Sequence, residues 1–162
     1  MYCISRGEYR EGLELCALLT EAFPESPRLA DVSYWTGDLL ASVAAGDPAG
    51  QLKAISAYEE AMAIFPSHPL AEATAFHVGE LYHGLGFTYE TMEAFNRFLE
   101  KFPESELVPE ARRMRARCMY RAGRYEDAEA EFRSYLEDYP DSPYRPEITL
   151  GLADTFFHLG KM

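Results

Sequence analysis

One phrase recurs four times along the 162 residues: Phe23-Pro24-Glu25-Ser26-Pro27, Phe65-Pro66-Ser67-His68-Pro69, Phe102-Pro103-Glu104-Ser105 and Tyr139-Pro140-Asp141-Ser142-Pro143. Its first prolines stand 42, 37 and 37 residues apart, at positions 24, 66, 103 and 140. Self-similarity at such a period marks a stacked repeat, in which each unit buries its apolar face only against its neighbours.

Counting back from each anchor proline, apolar residues fall at i, i+4, i+7, i+8 and i+11, one face of an α-helix. The copies are Ala54, Tyr58, Ala61, Met62, Phe65; Thr91, Phe95, Phe98, Leu99, Phe102; and Ala128, Phe132, Tyr135, Leu136, Tyr139. A weaker copy, Gly12, Cys16, Leu19, Thr20, Phe23, opens the chain. Proline disfavours helix in the residue before it and donates no hydrogen bond, so each second helix should stop there. A first helix should then begin beyond each stop, with Ser26, Ser105 and Ser142 as caps or turn residues and Pro27, Pro109 and Pro146 in a first turn. Thirteen residues after the anchor stands a small residue, Gly37, Gly79, Ala116 or Ala153, which allows close helix approach. Gly86, Gly123 and Gly160, with Gly7 in the opening half-unit, should turn the chain between the paired helices.

The small residue, the aromatic three on (Tyr82, Phe156), the turn glycine, Tyr9 and Tyr125, Ala54 and Ala128, the aromatics Tyr58, Phe95 and Phe132, and the closing proline together resemble the tetratricopeptide repeat. The phrase aromatic-Pro-x-Ser is similar to the subclass found in bacterial cell-envelope proteins, of the TolA-binding coordinator and outer-membrane assembly lipoprotein type. The resemblance implies an all-α, right-handed superhelical solenoid of helix-turn-helix repeats. A half repeat at 1–24 would precede full repeats at 25–66, 67–103 and 104–140, and a half repeat at 141–162 would follow. A periplasmic or outer-membrane-associated location is implied ahead of the cytoplasm.

Departures from the family pattern are specific. Arg115 stands where the repeat has a large apolar residue, and Thr88 and Thr91 replace its Tyr and Ala. Five extra residues lie between Gly37 and Ala54, and 44–50 reads as a lengthened turn. Residues 1–6 read as the tail of a first helix, and Phe156 and Phe157 close the chain unsheltered. This is expected of a segment of a longer polypeptide, or of ends that dock on another chain.

The balance of 27 acidic against 15 basic residues, a net charge of −12, disfavours nucleic acid and anionic lipid surfaces as partners. No apolar run reaches the roughly 20 residues that span a bilayer, so direct membrane insertion by this segment is not expected. Cys3, Cys16 and Cys118 lack metal spacing and read as small core residues, although Cys3 and Cys16 fall on one hairpin and could bridge under oxidising conditions. His77, Glu80 and His83 offer metal-ligand types on one helical arc but lack a second Glu-x-x-His, so groove-lining polar residues are the better account. No phosphate loop, G-x-S-x-G or Cys–His nucleophile pair is present, and neither an enzyme nor a cofactor is expected.

In the resembled family, groove-facing residues fall at i, i+3, i+7, i+10 and i+11 of each first helix. Here that stripe supplies Tyr34, Asp38, Phe76, Glu80, His83, Arg113, Arg117, Tyr120, Arg121, Asp154 and Phe157, with Glu110, Glu147 and Leu150 beside them. Aromatics and arginines dominate protein-binding hot spots, so a groove for a protein or peptide segment is expected. Six of the 15 basic residues lie between Arg112 and Arg124, and Arg113, Arg117 and Arg121 share one helix face. Such a ladder either grips a partner's carboxylates or pairs internally with Glu80, Glu110, Glu147 or Asp154. Chaperone-binding members of the family use a clamp with Asn on first helices, whereas the only Asn here, Asn96, lies on a second helix. The alternative function is a structural subunit that packs through its solenoid ends into an oligomer or larger complex.

Overall fold

The computed structural model describes residues 6–161, which form eight α-helices and no strand: α1 (Arg6–Ala22), α2 (Leu29–Val43), α3 (Pro48–Ile64), α4 (Ala71–Gly84), α5 (Thr88–Lys101), α6 (Val108–Arg121), α7 (Tyr125–Asp138) and α8 (Arg145–His158). They gather into two compact units divided between Leu81 and Tyr82.

Each anchor proline acts as its chemistry requires. The residues before it, Phe65, Phe102 and Tyr139, have φ of −123°, −128° and −127° and ψ of 60°, 59° and 64°, outside the helical region. Their own N–H groups still bond back to Ala61, Phe98 and Tyr135, so α3, α5 and α7 end one residue short of the C-cap that precedes the proline. The hydroxyl two residues beyond the proline then builds a tight turn: Ser26, Ser105 and Ser142 accept the N–H groups of Arg28, Leu107 and Tyr144 respectively. These serines are turn residues rather than helix caps. In the second copy His68 takes the serine's place, and its Nδ1 accepts the N–H of Leu70 at 3.2 Å. Because a backbone N–H can only donate, the Nε2 side carries the ring proton and donates it to Asp31 at 3.1 Å.

In the first unit α2 packs against α1 and α3. Gly37 of α2 meets the ring of Tyr58, which is 2% exposed, so closely that a Cβ there would lie 2.3 Å from Cδ1. Tyr58 donates its hydroxyl proton to Asp38 at 2.7 Å, and burial together with that carboxylate raises its pKa. The five extra residues of this repeat do not make a long loop. Relative to the 14-residue helices and three-residue turn of α4 and α5, α2 has 15 residues, the turn four and α3 17. Residues 48–50, expected in a turn, form the first turn of α3, capped by the Asp47 carboxylate accepting from Ala49 and Gly50, with Pro48 at the first helical position.

In the second unit α6 packs between α5 and α7, and α8 lies against both α7 and α6. Its core joins Ala116, Ala128, Phe132, Tyr135 and Ile148. The expected second-helix stripe is buried at Ala54, Tyr58, Ala61, Thr91, Phe95, Phe98, Ala128, Phe132 and Tyr135. Thr91 fills the alanine position by returning its hydroxyl to the Phe87 carbonyl at 2.7 Å. The copy on α1 is shallower: Cys16 is buried, but Leu19 and Phe23 are exposed, as are Leu15 and Leu18 beside them. Ala153, on the position that buries Ala116 against α7, is exposed.

The tight turns between paired helices carry glycine at φ +84°, +79° and +74°, at Gly46, Gly86 and Gly123, and Gly160, just after α8, has φ +65°. Gly7 does not join them, because it lies within α1, which begins at Arg6. Residues 1–5 of the anticipated opening helix, and Cys3 with its conceivable bridge to Cys16, lie outside the described residues.

Gly37→Ala should lower stability by about 1–3 kcal/mol in urea unfolding, since the enclosed Tyr58 ring cannot yield. Gly84→Ala, whose added Cβ meets nothing within 4 Å, should leave the midpoint unchanged or slightly raised.

Candidate functional site

The predicted groove residues separate into three groups. Tyr34 and Phe76, expected to offer apolar contact from the wall, are core side chains at 1% and 7% exposure. Tyr34 stacks on His68 with ring centroids 4.7 Å apart and donates to the Phe65 carbonyl at 3.0 Å, an acceptor that the proline beyond it leaves without a helical donor. Asp38 and Glu80 are exposed but engaged, Asp38 by Tyr58 and Glu80 by His77 at 3.2 Å. The remaining residues, His83, Arg113, Arg117, Tyr120, Arg121, Asp154 and Phe157, all belong to the second unit.

There, the regular spacing of α6 and α8 lays one face of each helix alongside the other. Arg117, Tyr120 and Arg121 of α6 face Glu147, Leu150 and Asp154 of α8 across a cavity of about 370 Å³, floored by Phe132, Ile148 and Gly151. Phe132 reaches this floor because α8 presents Gly151 to it, where a Cβ would lie 2.8 Å from the ring. Leu150 and Phe157 are 63% and 67% exposed. At the α8 end of the wall His158 stacks on Tyr125 with centroids 4.6 Å apart, and Tyr120 and Phe157 meet its ring edge-on.

The arginine ladder is graded along the helix. Arg113 keeps only 11% of its side chain exposed, lying over the Tyr144 ring at 4.5 Å and bonded to both oxygens of Glu147 and to Glu110. Arg117 shares Glu147 at 2.8 Å but stays 45% exposed. Arg121 is exposed and makes no ion pair among the described residues. Of the four carboxylates anticipated as internal partners, Glu110 and Glu147 take arginines of this ladder, and Asp154 has no ion pair among the described residues. His83 sits with Nδ1 4.0 Å from the buried Cys118 sulfur. Burial, and then the charges of Arg121, Arg117 and Arg113, lower its pKa, so at neutral pH it adds no charge to the wall. Burial likewise raises the Cys118 thiol and, with Asp154, the Tyr120 phenol, so both stay protonated.

The other basic residues of α6 serve the opposite flank. Glu131 of α7, 13% exposed, gives one oxygen to Arg112 at 2.8 Å and the other to Arg115 at 2.6 Å. Arg115 also reaches Asn96 of α5 at 3.0 Å, and Arg112 reaches Ser134 and Asp138. Arg115, standing where the repeat pattern asks for a large apolar residue, is thus accommodated by an ion pair to α7 and a hydrogen bond to α5. The sequence signal for Glu131 was two arginines on one turn of α6 without acidic partners on their own helix.

The helical hairpins, proline-closed and glycine-turned, define a tetratricopeptide-type repeat fold. The tetratricopeptide repeat family model matches residues 93–143, within the second unit. Among solved structures, the nearly identical TPR-like repeats of a Podosopora anserina protein assigned as a kinesin light chain align at 16% identity, covering 96% of this chain and 81% of that one, with a TM-score of 0.62. A singly substituted form of those repeats aligns with the same identity and TM-score, over 96% and 80% of the two chains. A tetratricopeptide repeat protein from Parabacteroides merdae aligns at 18% identity over 96% and 69%, with a TM-score of 0.46. No curated protein sequence matches the chain. Repeats of this type generally mediate protein–protein interaction, and the fold is typically a non-catalytic scaffold.

Glu131→Ala should destabilise the second unit by roughly 3 kcal/mol, because it removes the carboxylate shared by two largely buried guanidinium groups and leaves Arg115 without a charged partner among the described residues; chemical unfolding followed by circular dichroism reads this. Arg112, then Ser134, hold the Asp138 carboxyl below the ordinary carboxylate range. Its contribution to stability is therefore complete above that range and lost as pH falls through the lowered value. Asp138→Asn should flatten the fall in unfolding midpoint as pH drops below about 5.

Proposed function

We propose that this chain is a non-catalytic protein-interaction scaffold that receives a partner's peptide segment on the face formed by α6 and α8. The observation that carries this reading is the conjunction, over one cavity, of exposed Leu150, half-buried Tyr120 and the uncompensated charge of Arg121. Exposed apolar and aromatic surface beside arginine is the composition of binding hot spots, and a cavity floored by packed core residues offers it on a rigid support. Groups for chemistry are poorly placed here: the Cys118 thiol is buried and protonated, and the neighbouring His83 faces that thiol rather than the cavity lining. The aromatic-Pro-x-Ser phrase favours a bacterial cell-envelope setting, in the periplasm or at the outer membrane. Among the described residues no helix is long and apolar enough to cross a membrane.

A second reading, assembly through the ends of the chain, is favoured by one observation: Leu15, Leu18 and Phe23, in and just beyond α1, are 55%, 59% and 60% exposed.

Affinity capture from a lysate of the source organism separates the two. The parent chain should retain a partner that Leu150→Asp/Phe157→Asp loses at unchanged helicity. Identical capture by both forms overturns the groove reading. Loss of capture only in Leu15→Asp/Leu18→Asp supports the assembly reading.

A further inference from the structure

The charges left over on the wall between α6 and α8 restrict what kind of segment it can take, an inference that rests on the groove reading above. Three arginines on α6, Arg113, Arg117 and Arg121, face three carboxylates, Glu110, Glu147 and Asp154, so the wall is electrically balanced although the chain carries −12 overall. Arg113 and Arg117 are consumed by Glu110 and Glu147. Arg121 and Asp154 remain, both exposed, both lining the 370 Å³ cavity from opposite helices, and not within ion-pair distance of each other or of any other described residue.

We propose that this cavity seats an apolar side chain of a partner segment flanked by one acidic and one basic residue, with Arg121 binding the carboxylate and Asp154 the cation. Leu150, Tyr120, Phe132 and Ile148 supply the apolar walls for the central side chain. Arg121 presents a fork of donors suited to a carboxylate, and its lack of an internal acceptor means that binding displaces only water. Discrimination comes from the same two groups. A wholly acidic segment meets Asp154 and Glu147, and a wholly basic one meets Arg117 and Arg121, so each loses on one side what it gains on the other. The protonated Tyr120 hydroxyl, beside Asp154, offers a further donor to the bound backbone.

A phage-displayed library of random dodecapeptides, panned against the purified chain, tests this. The enriched peptides should pair one acidic with one basic residue around a Leu, Ile or Phe, and a synthetic copy should bind more weakly as salt rises. Arg121→Glu should weaken that peptide about ten-fold, and changing the peptide's acidic residue to Lys should restore it. Asp154→Lys should do the same for the basic residue, restored by Glu. Peptides whose binding is lost in Leu150→Asp but whose charges do not respond to Arg121 or Asp154 overturn the charge assignment and leave the groove reading standing. Enriched peptides indifferent to Leu150→Asp, or no enrichment at all, overturn both.

Discussion

A proline fixed behind an aromatic residue controls the geometry of every repeat. It removes the helical conformation from Phe65, Phe102 and Tyr139, and it leaves the carbonyls of the last turn to be met by something other than the next helical N–H. The Phe65 carbonyl takes the turn N–H of His68 and also the Tyr34 hydroxyl, reaching from the preceding helix, and in the last turn Tyr135 bonds the Ser142 hydroxyl. The stop and the turn after it therefore also fasten one helix to the next. Because both boundaries of a unit are held this way, the longer first repeat takes up its additional residues mainly inside α3, where they cost little backbone entropy beyond what a helix already requires.

The second helices were readable from the sequence because two signals agree there, the 3.6-residue period and the closing proline. The burial of Tyr58, Phe95, Phe132 and Tyr135 follows directly. First-helix positions were harder. Tyr34 occupies the stripe expected to face outward, as does the likewise buried Phe76, but its hydroxyl has a specific acceptor and its ring a specific partner in His68, and neither is visible from helical spacing. The lengthened turn was misread because Gly46, Asp47, Pro48 and Gly50 look like loop residues. Asp47 and Pro48 are equally the signature of a helix start, and here that role prevails. Of the candidate wall, Arg117, Tyr120, Arg121 and Asp154 do converge on one cavity, since they sit one repeat apart on equivalent helices. Which arginines would be consumed internally depended on lateral distances between helices, which a linear sequence does not contain.

The division of labour on α6 follows from that helix being sandwiched. Arg112 and Arg115 on one flank, and Arg113 on the other, are held by acidic residues of α7, α8 and α6 itself, with Asn96 of α5 assisting Arg115. Replacing one apolar contact by an ion pair seldom adds stability, but it constrains lateral register, because Glu131 reaches both guanidinium groups at once only when α6 and α7 are aligned as they are here. Arg117 still shares Glu147 with Arg113, and Arg121, at the end of the helix and beyond the reach of this network, is the one left to solvent. Structural pairing and the proposed recognition thus draw on the same run of residues without competing for the same side chains.

Cys118 of α6 is 1% exposed, with His83 Nδ1 4.0 Å from its sulfur. A thiol kept protonated and out of reach does not meet an alkylating reagent while α6 is seated. The chain consequently carries its own chemical clock: the rate of Cys118 modification counts the moments at which α6 lifts from its neighbours, and so measures the local opening of the helix that bears the proposed binding face.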